Sequence, residues 1–358
     1  MRRWGVPEGV TAFAPGRINL IGEHTDYNEG LALAFAIGAG VTVRASPREG
    51  RRIETIATDL GERDSFDLDE PRPALALDEP RPAPDWRAFI RGVAGELRRA
   101  GLPIRGAVLE ISATVPRGAG LSSSAALEVA LCLALLACSG TPAPARIELA
   151  RICSRVENDW VGARTGLLDQ LASLYGEAGR ALLIDFRGVN VRTVPLALGG
   201  ARLAMLDSGE RRENAASAYN RRRAECSRAC RDLGLASLRD LEPAMVARLP
   251  SPLKERACHV LTENRRVAQA VAALQRQDPD QLGALLDASH VSLRDFYEIS
   301  TPRVQAAVAR MHSAGALGAR IVGGGFGGHV LGLLPGDAPT PEGAVEVWPG
   351  PGARVRVV

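Results

Sequence analysis

The chain has 358 residues, a length that favours two domains over one, and its 46% hydrophobic and 24% charged residues are typical of a soluble globular protein. The formal net charge of +3 is too small to indicate a nucleic-acid or anionic-membrane partner, and no apolar run is long enough for a membrane-spanning helix. The N-terminus also lacks the apolar stretch of a secretion signal, so we expect a cytoplasmic protein whose six cysteines are free thiols.

The lysine content excludes two kinds of nucleotide site. Lys254 is the only lysine among 44 basic residues. The chain therefore has neither the lysine of a Walker A loop nor the strand lysine of a protein kinase. Any site for nucleotide phosphates must use backbone N–H groups, helix dipoles, arginine and a metal ion.

The predicted secondary structure mixes strands and helices. Residues 11–44 predict strands interrupted by a tight turn at Pro15 and Gly16, and the proline-rich, partly duplicated segment 67–85 predicts an exposed loop. Periodicity predicts strands over 107–115, 181–185, 202–207, 320–322 and 329–334, and helices over 86–100, 125–137, 146–160, 167–175, 212–233, 252–276, 279–296 and 301–314. The helix at 125–137 is apolar on all sides and is therefore expected to be buried. A boundary near residue 195 predicts domains 1–195 and 196–358.

Polar side chains are concentrated just after the first predicted strand. Within ten residues the sequence contains a guanidinium, an imidazole and two carboxylates: Arg17, Glu23, His24 and Asp26. Carboxylates accept hydroxyl protons and an imidazole donates or accepts, so the cluster suits a polyhydroxylated ligand. On these residues alone, a solvated turn is an equally good interpretation.

A segment rich in glycine and serine joins a predicted strand to the buried helix. Gly118 and Gly120 let the backbone approach a ligand closely, and three serines at 122–124 follow. The first N–H groups of a helix lack intrahelical partners, and the helix dipole adds positive potential, so this helix end favours a phosphate group. A serine hydroxyl there can ligate Mg²⁺, although a plain turn with a serine N-cap explains the pattern as well.

Two further segments carry weaker signals. Glu157 and Asp169 flank a glycine-containing loop, where one carboxylate could hold Mg²⁺ and another act as a base, although acids at helix ends are commonly caps. Five glycines within 323–328 indicate a tight turn, and a dinucleotide fingerprint is excluded because a strand follows and not a helix. His329 is expected to be a buried structural residue. Three acids are expected to be merely solvated: Asp159, Glu210 and Glu213.

Taken together and in this order, these segments resemble galactokinases of the GHMP kinase superfamily. Residues 16–27 resemble the complete galactokinase signature, 118–126 the ATP loop of the superfamily, and 166–170 the family's G-I-M-D-Q motif. Residues 218–226 are similar to the family's Y-N-x-R-R-x-E-C helix, and the glycine turn matches the C-terminal motif. The resemblance extends over about residues 10 to 335.

The resemblance implies an α+β fold with two domains. One is an N-terminal mixed sheet with helices, of the ribosomal S5 domain 2-like type, and the other is a set of C-terminal helices on an antiparallel sheet, with the active site between them. It also implies an enzyme that uses ATP and Mg²⁺ to phosphorylate the anomeric hydroxyl of galactose, the first phosphorylation step of galactose catabolism. The expected partner is a small sugar, with no nucleic acid or membrane, and a monomer is favoured.

The resemblance also implies roles for individual residues. Asp169 is the candidate base for the sugar O1 hydroxyl, and Arg17 would lie beside it, keeping the carboxylate ionised and stabilising charge on the transferring phosphoryl group. Whether Asp169 removes the proton or only orients the hydroxyl stays open. The implied sugar contacts are Glu23, His24, Thr25, Asp26, Gly166 and Tyr219. The implied ATP contacts are Gly118, Ala119, Gly120, Leu121, Ser122, Ser123 and Ser124, and the implied Mg²⁺ ligands are Ser124 and Glu157.

Departures from the family pattern are few, and alternative functions remain. Ala34 replaces a common proline, His329 replaces a common cysteine, and two leucines replace the isoleucine–methionine pair of the third motif. None of these changes removes a reacting group. Kinases of arabinose, N-acetylgalactosamine or galacturonate are alternatives, and Glu23 argues against a C6 carboxylate on the substrate. The third alternative is a non-catalytic galactose and ATP sensor, but the part of the ATP loop that such sensors shorten is intact.

Overall fold

The computed structural model describes residues 9–70, 86–115, 120–210 and 215–357. The strands within them are β1 (Val10–Ile21), β2 (Leu31–Pro47), β3 (Arg52–Ala57), β4 (Glu62–Asp67), β5 (Ala107–Ala113), β6 (Arg180–Asp185), β7 (Asn190–Pro195), β8 (Arg202–Asp207), β9 (Gly318–Ile321), β10 (His329–Leu334), β11 (Ala344–Val347) and β12 (Arg354–Val357). The helices are α1 (Trp86–Arg99), α2 (Ser123–Cys138), α3 (Arg146–Arg155), α4 (Leu168–Tyr175), α5 (Ala215–Leu233), α6 (Pro243–Val246), α7 (Leu253–Arg276), α8 (Pro279–Asp295) and α9 (Pro302–Ser313).

The larger sheet is mixed and has α2 packed on one face. Its strand order is β12-β1-β2-β5-β3-β4. In addition, β6 pairs with β2 and β7 pairs with β6, and among these strands only β3 and β5 pair in parallel. Helix α2 contacts β1 and β2 on one side and α1, α3 and α4 on the other. This double contact explains why α2 is apolar all round, and each fully buried leucine, such as Leu131, stabilises the fold by roughly 1.5–3 kcal/mol.

The smaller sheet is antiparallel, with the order β11-β8-β10-β9, and helices α8 and α9 pack against it. A second apolar cluster lies between this sheet and the C-terminal helices. The last strand, β12, returns to the larger sheet and pairs with β1. The predicted α+β architecture of a mixed sheet followed by helices on an antiparallel sheet is confirmed, and the boundary near residue 195 stays a prediction.

Most predicted elements are found within a few residues of their expected ends, but the turn at Pro15 and Gly16 is wrong. Strand β1 continues through it, while the pairing with β2 shifts from Pro15–Gly40 to Arg17–Ala36. The irregularity therefore lies on β2, where residues 37–39 face Gly16 alone.

The helix predicted to reach Trp160 is also different. Helix α3 ends at Arg155 and continues as a π-helical turn, Val156–Val161. Trp160 packs so tightly on α1 that a Cβ on Gly95 would lie 2.4 Å from its ring, and its indole N–H donates to Glu96 at 3.1 Å. The wider turn lets Trp160 reach α1 while Glu157 lies on the other side, in the interior.

Five short strands were not predicted: β3, β4, β7, β11 and β12. Each is only four to six residues long and carries charged or exposed side chains, which obscures a period of two. All six cysteines are free, as expected. His329, which was expected to be buried, is only half-buried at the start of β10. Within the described ranges, no helix is long and apolar enough to cross a membrane. Most of the predicted loop, 71–85, lies outside those ranges, as do Gly118, Ala119 and Glu213.

Candidate active site

One cavity of about 280 Å³ gathers most of the residues singled out in the sequence. Its walls come from β1, the loop after β1, the N-terminal ends of α2 and α4, helix α5 and the glycine turn between β9 and β10. The predicted site residues that line it are Arg17, Glu23, His24, Asp26, Gly120, Ser122, Ser123, Ser124, Glu157, Gly166, Asp169 and Tyr219. Five distant parts of the chain therefore converge on a single concave site.

An ion pair joins the two predicted catalytic residues. Arg17 Nη2 lies 2.6 Å from Asp169 Oδ1, and the two side chains are only 7% and 20% exposed. Arg17 comes from β1 and Asp169 from the first turn of α4. Because the pair is largely shielded from water, its attraction is only weakly screened by salt.

Arg17 also holds the loop that leads into α2. Its Nη1 donates to the Gly120 carbonyl at 2.7 Å, and its backbone N–H donates to the Leu121 carbonyl at 3.1 Å. This approach requires Gly16, since a Cβ there would lie 2.5 Å from the Leu121 oxygen. Leu121 itself is buried and contributes only backbone, so its side chain does not line the cavity.

The N-terminal end of α2 faces the cavity without a side-chain cap. Gly120 and Ser122 both have left-handed backbone, with φ of 76° and 63°. The Ser122 side chain does not cap the helix, and its hydroxyl is buried without a hydrogen-bond partner in the described part of the chain. The first N–H groups of the helix and a buried hydroxyl are thus available to an anionic ligand.

Beside this helix end, a buried network of oxygen atoms surrounds Glu157. Its Oε1 accepts a hydrogen bond from the Ser124 hydroxyl at 2.7 Å, and its Oε2 accepts from Thr165 at 2.5 Å and from Gln170 at 3.1 Å. Gln170 Nε2 also donates to the buried Glu128 at 3.2 Å. Burial, and then the nearby Asp169 carboxylate, raise the pKa of Glu157, so the site favours a cation that would compensate its charge.

The oxygen atoms of Ser124 and Glu157 are of the kind that Mg²⁺ prefers. Among the described residues, no group of three or more His, Cys, Asp or Glu could hold a metal by itself. Mg²⁺ is commonly held by one or two carboxylates together with substrate phosphates and water, so a hydroxyl and one carboxylate beside a helix N-terminal end are compatible with such a site.

On the opposite wall, Asp26 lies directly against Gly166. A Cβ on Gly166 would be 2.1 Å from Asp26 Oδ2, so only glycine allows this contact. Asp26 Oδ1 accepts the N–H of Tyr27 at 3.0 Å. Burial, and then the charge of Asp169, raise the pKa of Asp26 to about 6.

A fully buried arginine, Arg320 of β9, fixes the carboxylate of Glu23. Its Nη2 lies 3.2 Å from Glu23 Oε1, which also accepts the N–H of Gly323 at 2.6 Å. Arg320 Nη1 donates to the carbonyls of Asn19 and Leu20 in β1. One carboxylate oxygen of Glu23 is thus committed to the protein, while the residue still lines the cavity.

His24 and Tyr219 form an aromatic wall. Their ring centroids are 5.0 Å apart, and the Tyr219 ring lies so close to Gly324 that a Cβ there would be 3.0 Å away. Burial lowers the pKa of His24 to about 3, and the neighbouring cationic side chains act in the same direction. His24 is therefore a neutral imidazole at physiological pH.

Two sequence interpretations change. Thr25 is fully buried and outside the cavity lining, and its hydroxyl lies 2.8 Å from the carbonyls of both Gly22 and Leu31, so we reassign it from sugar contact to holding the loop. Glu210 is not merely solvated, because its carboxylate accepts from Thr301 and its carbonyl accepts the N–H of Gly328. It anchors the glycine turn.

Sequence reasoning missed the residues that support the site from behind. Arg320, Gln170 and Glu128 lie in apolar or helical segments of the sequence. Only their burial in the structure shows that they support the site. Thr165, inside the glycine-containing loop, was also not predicted to belong to the site. The one available signal was the position of Gln170 in the 166–170 motif, next to Asp169.

The comparisons with known proteins agree with this geometry. Three family models match: the GHMP kinases N terminal domain over residues 88–177, the galactokinase galactose-binding signature over 1–47, and the GHMP kinases C terminal domain over 270–347. A solved mevalonate kinase of Methanococcus jannaschii, only 17% identical, superposes with a TM-score of 0.66 over 98% of this chain and all of its own. The fold and site thus define a GHMP kinase.

Relatives with higher sequence identity show which family of GHMP kinases the chain belongs to. A galactokinase of Roseiflexus sp. (strain RS-1) is 42% identical over 343 residues, 93% of this chain and 85% of the relative. A crystal structure of Lactococcus lactis galactokinase complexed with galactose is 30% identical and superposes with a TM-score of 0.88, covering 98% of this chain and 95% of that chain. The chain belongs to the galactokinase family.

Proposed function

We propose that this protein is a galactokinase that transfers the γ-phosphoryl group of ATP to the anomeric hydroxyl of galactose, giving galactose 1-phosphate and ADP. The observation that carries the proposal is the Arg17–Asp169 ion pair, which lies in the same cavity as the uncapped N-terminal end of α2. A base, a compensating cation and a phosphate site are the parts that phosphoryl transfer to a hydroxyl requires.

Asp169 accepts the proton of the sugar O1 hydroxyl as that oxygen attacks the γ-phosphorus, or orients the hydroxyl until its proton leaves. Arg17 holds the Asp169 carboxylate in place through the ion pair and offers a positive charge to the equatorial oxygens of the transferring group. The sugar hydroxyls bind to the carboxylates of Glu23 and Asp26, whose positions are set by Arg320 and Gly166. These contacts align O1 with the phosphorus, and alignment provides much of the rate enhancement in phosphoryl transfer.

The nucleotide base has a suitable second cavity next to the first. An apolar cavity of about 440 Å³ shares Ser123 and Ser124 with the sugar cavity and includes the rings of Trp86 and Phe89. An aromatic, apolar pocket suits a purine, while the phosphates extend past the serines to the end of α2. Ser124 and Glu157 would hold Mg²⁺, which supplies positive charge to the phosphate oxygens.

The function is tested by measuring ADP release with a panel of pyranoses, with mevalonate and homoserine as controls. We expect galactose to give the highest kcat/KM, which agrees with the galactose bound to the L. lactis relative. A preference for arabinose, N-acetylgalactosamine or galacturonate would reassign the sugar, and binding without turnover would indicate a sensor. A monomeric state and a cytoplasmic location stay predictions.

A further inference from the structure

One face of helix α7 lies against the loop between β1 and β2, residues 22–30. Glu263 Oε1 accepts the backbone N–H of Gly22 at 3.0 Å, at the start of this loop. At the other end, Asn264 Oδ1 accepts the backbone N–H of Leu31 at 2.7 Å. Both ends of the loop are therefore fixed on a single helix from the C-terminal half of the chain.

A third side chain of α7, that of His259, holds the main chain of the loop one residue further on. Its Nε2 lies 3.1 Å from the carbonyl oxygen of Glu23, which can only accept, so Nε2 carries the hydrogen. Nδ1 of the ring then accepts from the Ser292 hydroxyl of α8 at 2.8 Å. Burial lowers the pKa of His259 to about 4, which agrees with a neutral ring that donates on one side and accepts on the other.

Glu263 is a completely buried acid whose two carboxylate oxygens both have partners. Besides Gly22, Oε1 accepts the Ser289 hydroxyl of α8 at 2.7 Å, and Oε2 pairs with Arg266 at 2.6 Å. Burial alone would raise the pKa of Glu263, but the positive charge of Arg266 opposes it, and with other nearby groups lowers the pKa to about 2. The bond to the Gly22 N–H is therefore made by an ionised acceptor, which binds a donor more strongly than a neutral one does.

The close approach of the loop to α7 requires glycine at position 22. Gly22 has φ of 106°, and a Cβ there would lie 2.6 Å from the Leu31 oxygen and 3.0 Å from Val267 of α7. His259, Glu263 and Val267 are spaced by four residues, so they form one stripe along the helix. The loop is thus packed on this stripe as well as hydrogen-bonded to it.

We infer that Glu263, assisted by His259 and Asn264, is a positioning residue for sugar binding that acts through the main chain of the loop. The inference deepens the proposed function, on which its kinetic part rests. Glu263 does not line the cavity, but the loop that it holds carries the carboxylates of Glu23 and Asp26, which do. Fixing the backbone of the loop orders these carboxylates before the sugar arrives, so less of the binding free energy is spent on ordering them.

The kinetic test compares Glu263→Leu with Glu263→Gln in the full chain. The leucine removes the acceptor of the Gly22 N–H, so we expect the galactose KM to rise roughly tenfold, with kcat changed less than about threefold. The KM for ATP should change less than about twofold, because the loop carries none of the expected ATP contacts. The glutamine keeps an oxygen at the same place and should return the galactose KM to within about threefold of the wild type. Simple destabilisation of the fold would not separate the two substrates.

Hydrogen exchange of the backbone amides, measured without substrate, tests the same contacts directly. In Glu263→Leu, peptides that cover residues 22–31 should exchange at least about tenfold faster, while those from the β3–β4 hairpin, residues 52–67, keep the wild-type rate. Asn264→Ala leaves the ion pair of Glu263 intact. It should speed exchange at Leu31 and raise the galactose KM about threefold, so it carries the test if Glu263→Leu does not fold.

Gln269→Leu, at an exposed position of the same helix, is the control and should change neither KM nor exchange. Equal rises in KM for galactose and ATP would overturn the inference. Wild-type exchange over residues 22–31 in Glu263→Leu, or in Asn264→Ala where the first variant does not fold, would overturn it as well. The exchange rates need no substrate, so they decide whether α7 holds the loop even if no sugar is phosphorylated and the proposed function fails.

Discussion

At the scale of single residues, the two aspartates of the cavity lie in opposite electrostatic settings. Asp169 is paired with Arg17 at 2.6 Å. Asp26 accepts a backbone N–H and has its pKa raised to about 6 by burial, with the Asp169 charge acting in the same direction. A carboxyl group that titrates near neutrality, as that of Asp26 does, gives ligand binding a pH dependence.

Asp169→Asn should remove the proton acceptor and leave the sugar pocket intact. We expect kcat to fall by about two to four orders of magnitude, while the dissociation constant for galactose changes less than about threefold. Steady-state kinetics and calorimetric titration separate the two quantities. Asp159→Asn, at a half-exposed position outside the cavity, is the matched control; near-normal kcat in Asp169→Asn would remove Asp169 from the mechanism.

The pKa of Asp26 predicts a pH dependence. Below about pH 6 the carboxyl is protonated and accepts sugar hydroxyls poorly, so kcat/KM for galactose should rise as the pH passes upward through about 6. Asp26→Asn should lower kcat/KM and abolish this rise. A flat wild-type profile from about pH 5 to 8 would contradict the assignment.

The raised pKa of Asp26 affects stability in the opposite direction from sugar binding. Because the pKa of Asp26 is raised from 3.8 to about 6, the folded protein binds more protons than the unfolded chain between these values. The contribution of Asp26 to the free energy of unfolding is therefore present below about pH 4 and lost as the pH rises through about 6. The protein thus gives up some stability to hold an ionised Asp26 carboxylate in the cavity above about pH 6.

At the scale of elements, the loop before α4 depends on Gly166, a residue without a side chain. Gly166→Ala would place a methyl group 2.1 Å from Asp26 Oδ2, so the carboxylate must move away from the sugar. We expect the galactose KM to rise at least about tenfold, because a buried acceptor is misplaced. Gly188→Ala, where nothing lies within 4 Å of the added Cβ, is the control and should have wild-type KM. Equal KM values for the two variants would refute the contact.

The elements that sequence patterns predicted well are those with a single dominant cause. Helix α2 is apolar all round because it is buried on every side, and its start follows from the glycine and serine residues before it. The π-helical turn at 156–161 was not predictable, since it results from Trp160 packing on glycines of α1, a contact distant in sequence. The continuity of β1 through Gly16 likewise depends on a bulge in its partner strand.

The candidate site shows the same division between local and distant causes. Residues in contiguous motifs, such as Asp26 and Asp169, could be picked out because a polar cluster interrupts apolar sequence. Arg320 could not be picked out, because a lone arginine in a predicted strand suggests a surface position. In the structure its side chain is fully buried, at 0% exposure. Its task is defined by carbonyls of β1, about three hundred positions earlier in the chain.

At the scale of the whole molecule, Arg320 links the smaller sheet to the larger one. It joins β9 to β1 through two carbonyls and to Glu23 through its carboxylate. Arg320→Met should leave Glu23, which is 3% exposed, as an uncompensated buried charge and lower the free energy of unfolding by about 3–5 kcal/mol. Chemical denaturation measures this loss. Arg248→Met, at an exposed position, should change stability by less than about 0.5 kcal/mol, and similar losses in both variants would contradict the role of Arg320.

The single lysine of the sequence, Lys254, lies at the start of α7, where its side chain is exposed and outside the cavity lining. Amine-directed acylation or coupling to an activated resin would therefore attach the chain through this point or its α-amino group. A kinase that relied on a catalytic lysine would be inactivated by the same reagents. Here the lysine-poor composition restricts amine coupling to few positions, and Lys254 lies outside the cavity lining.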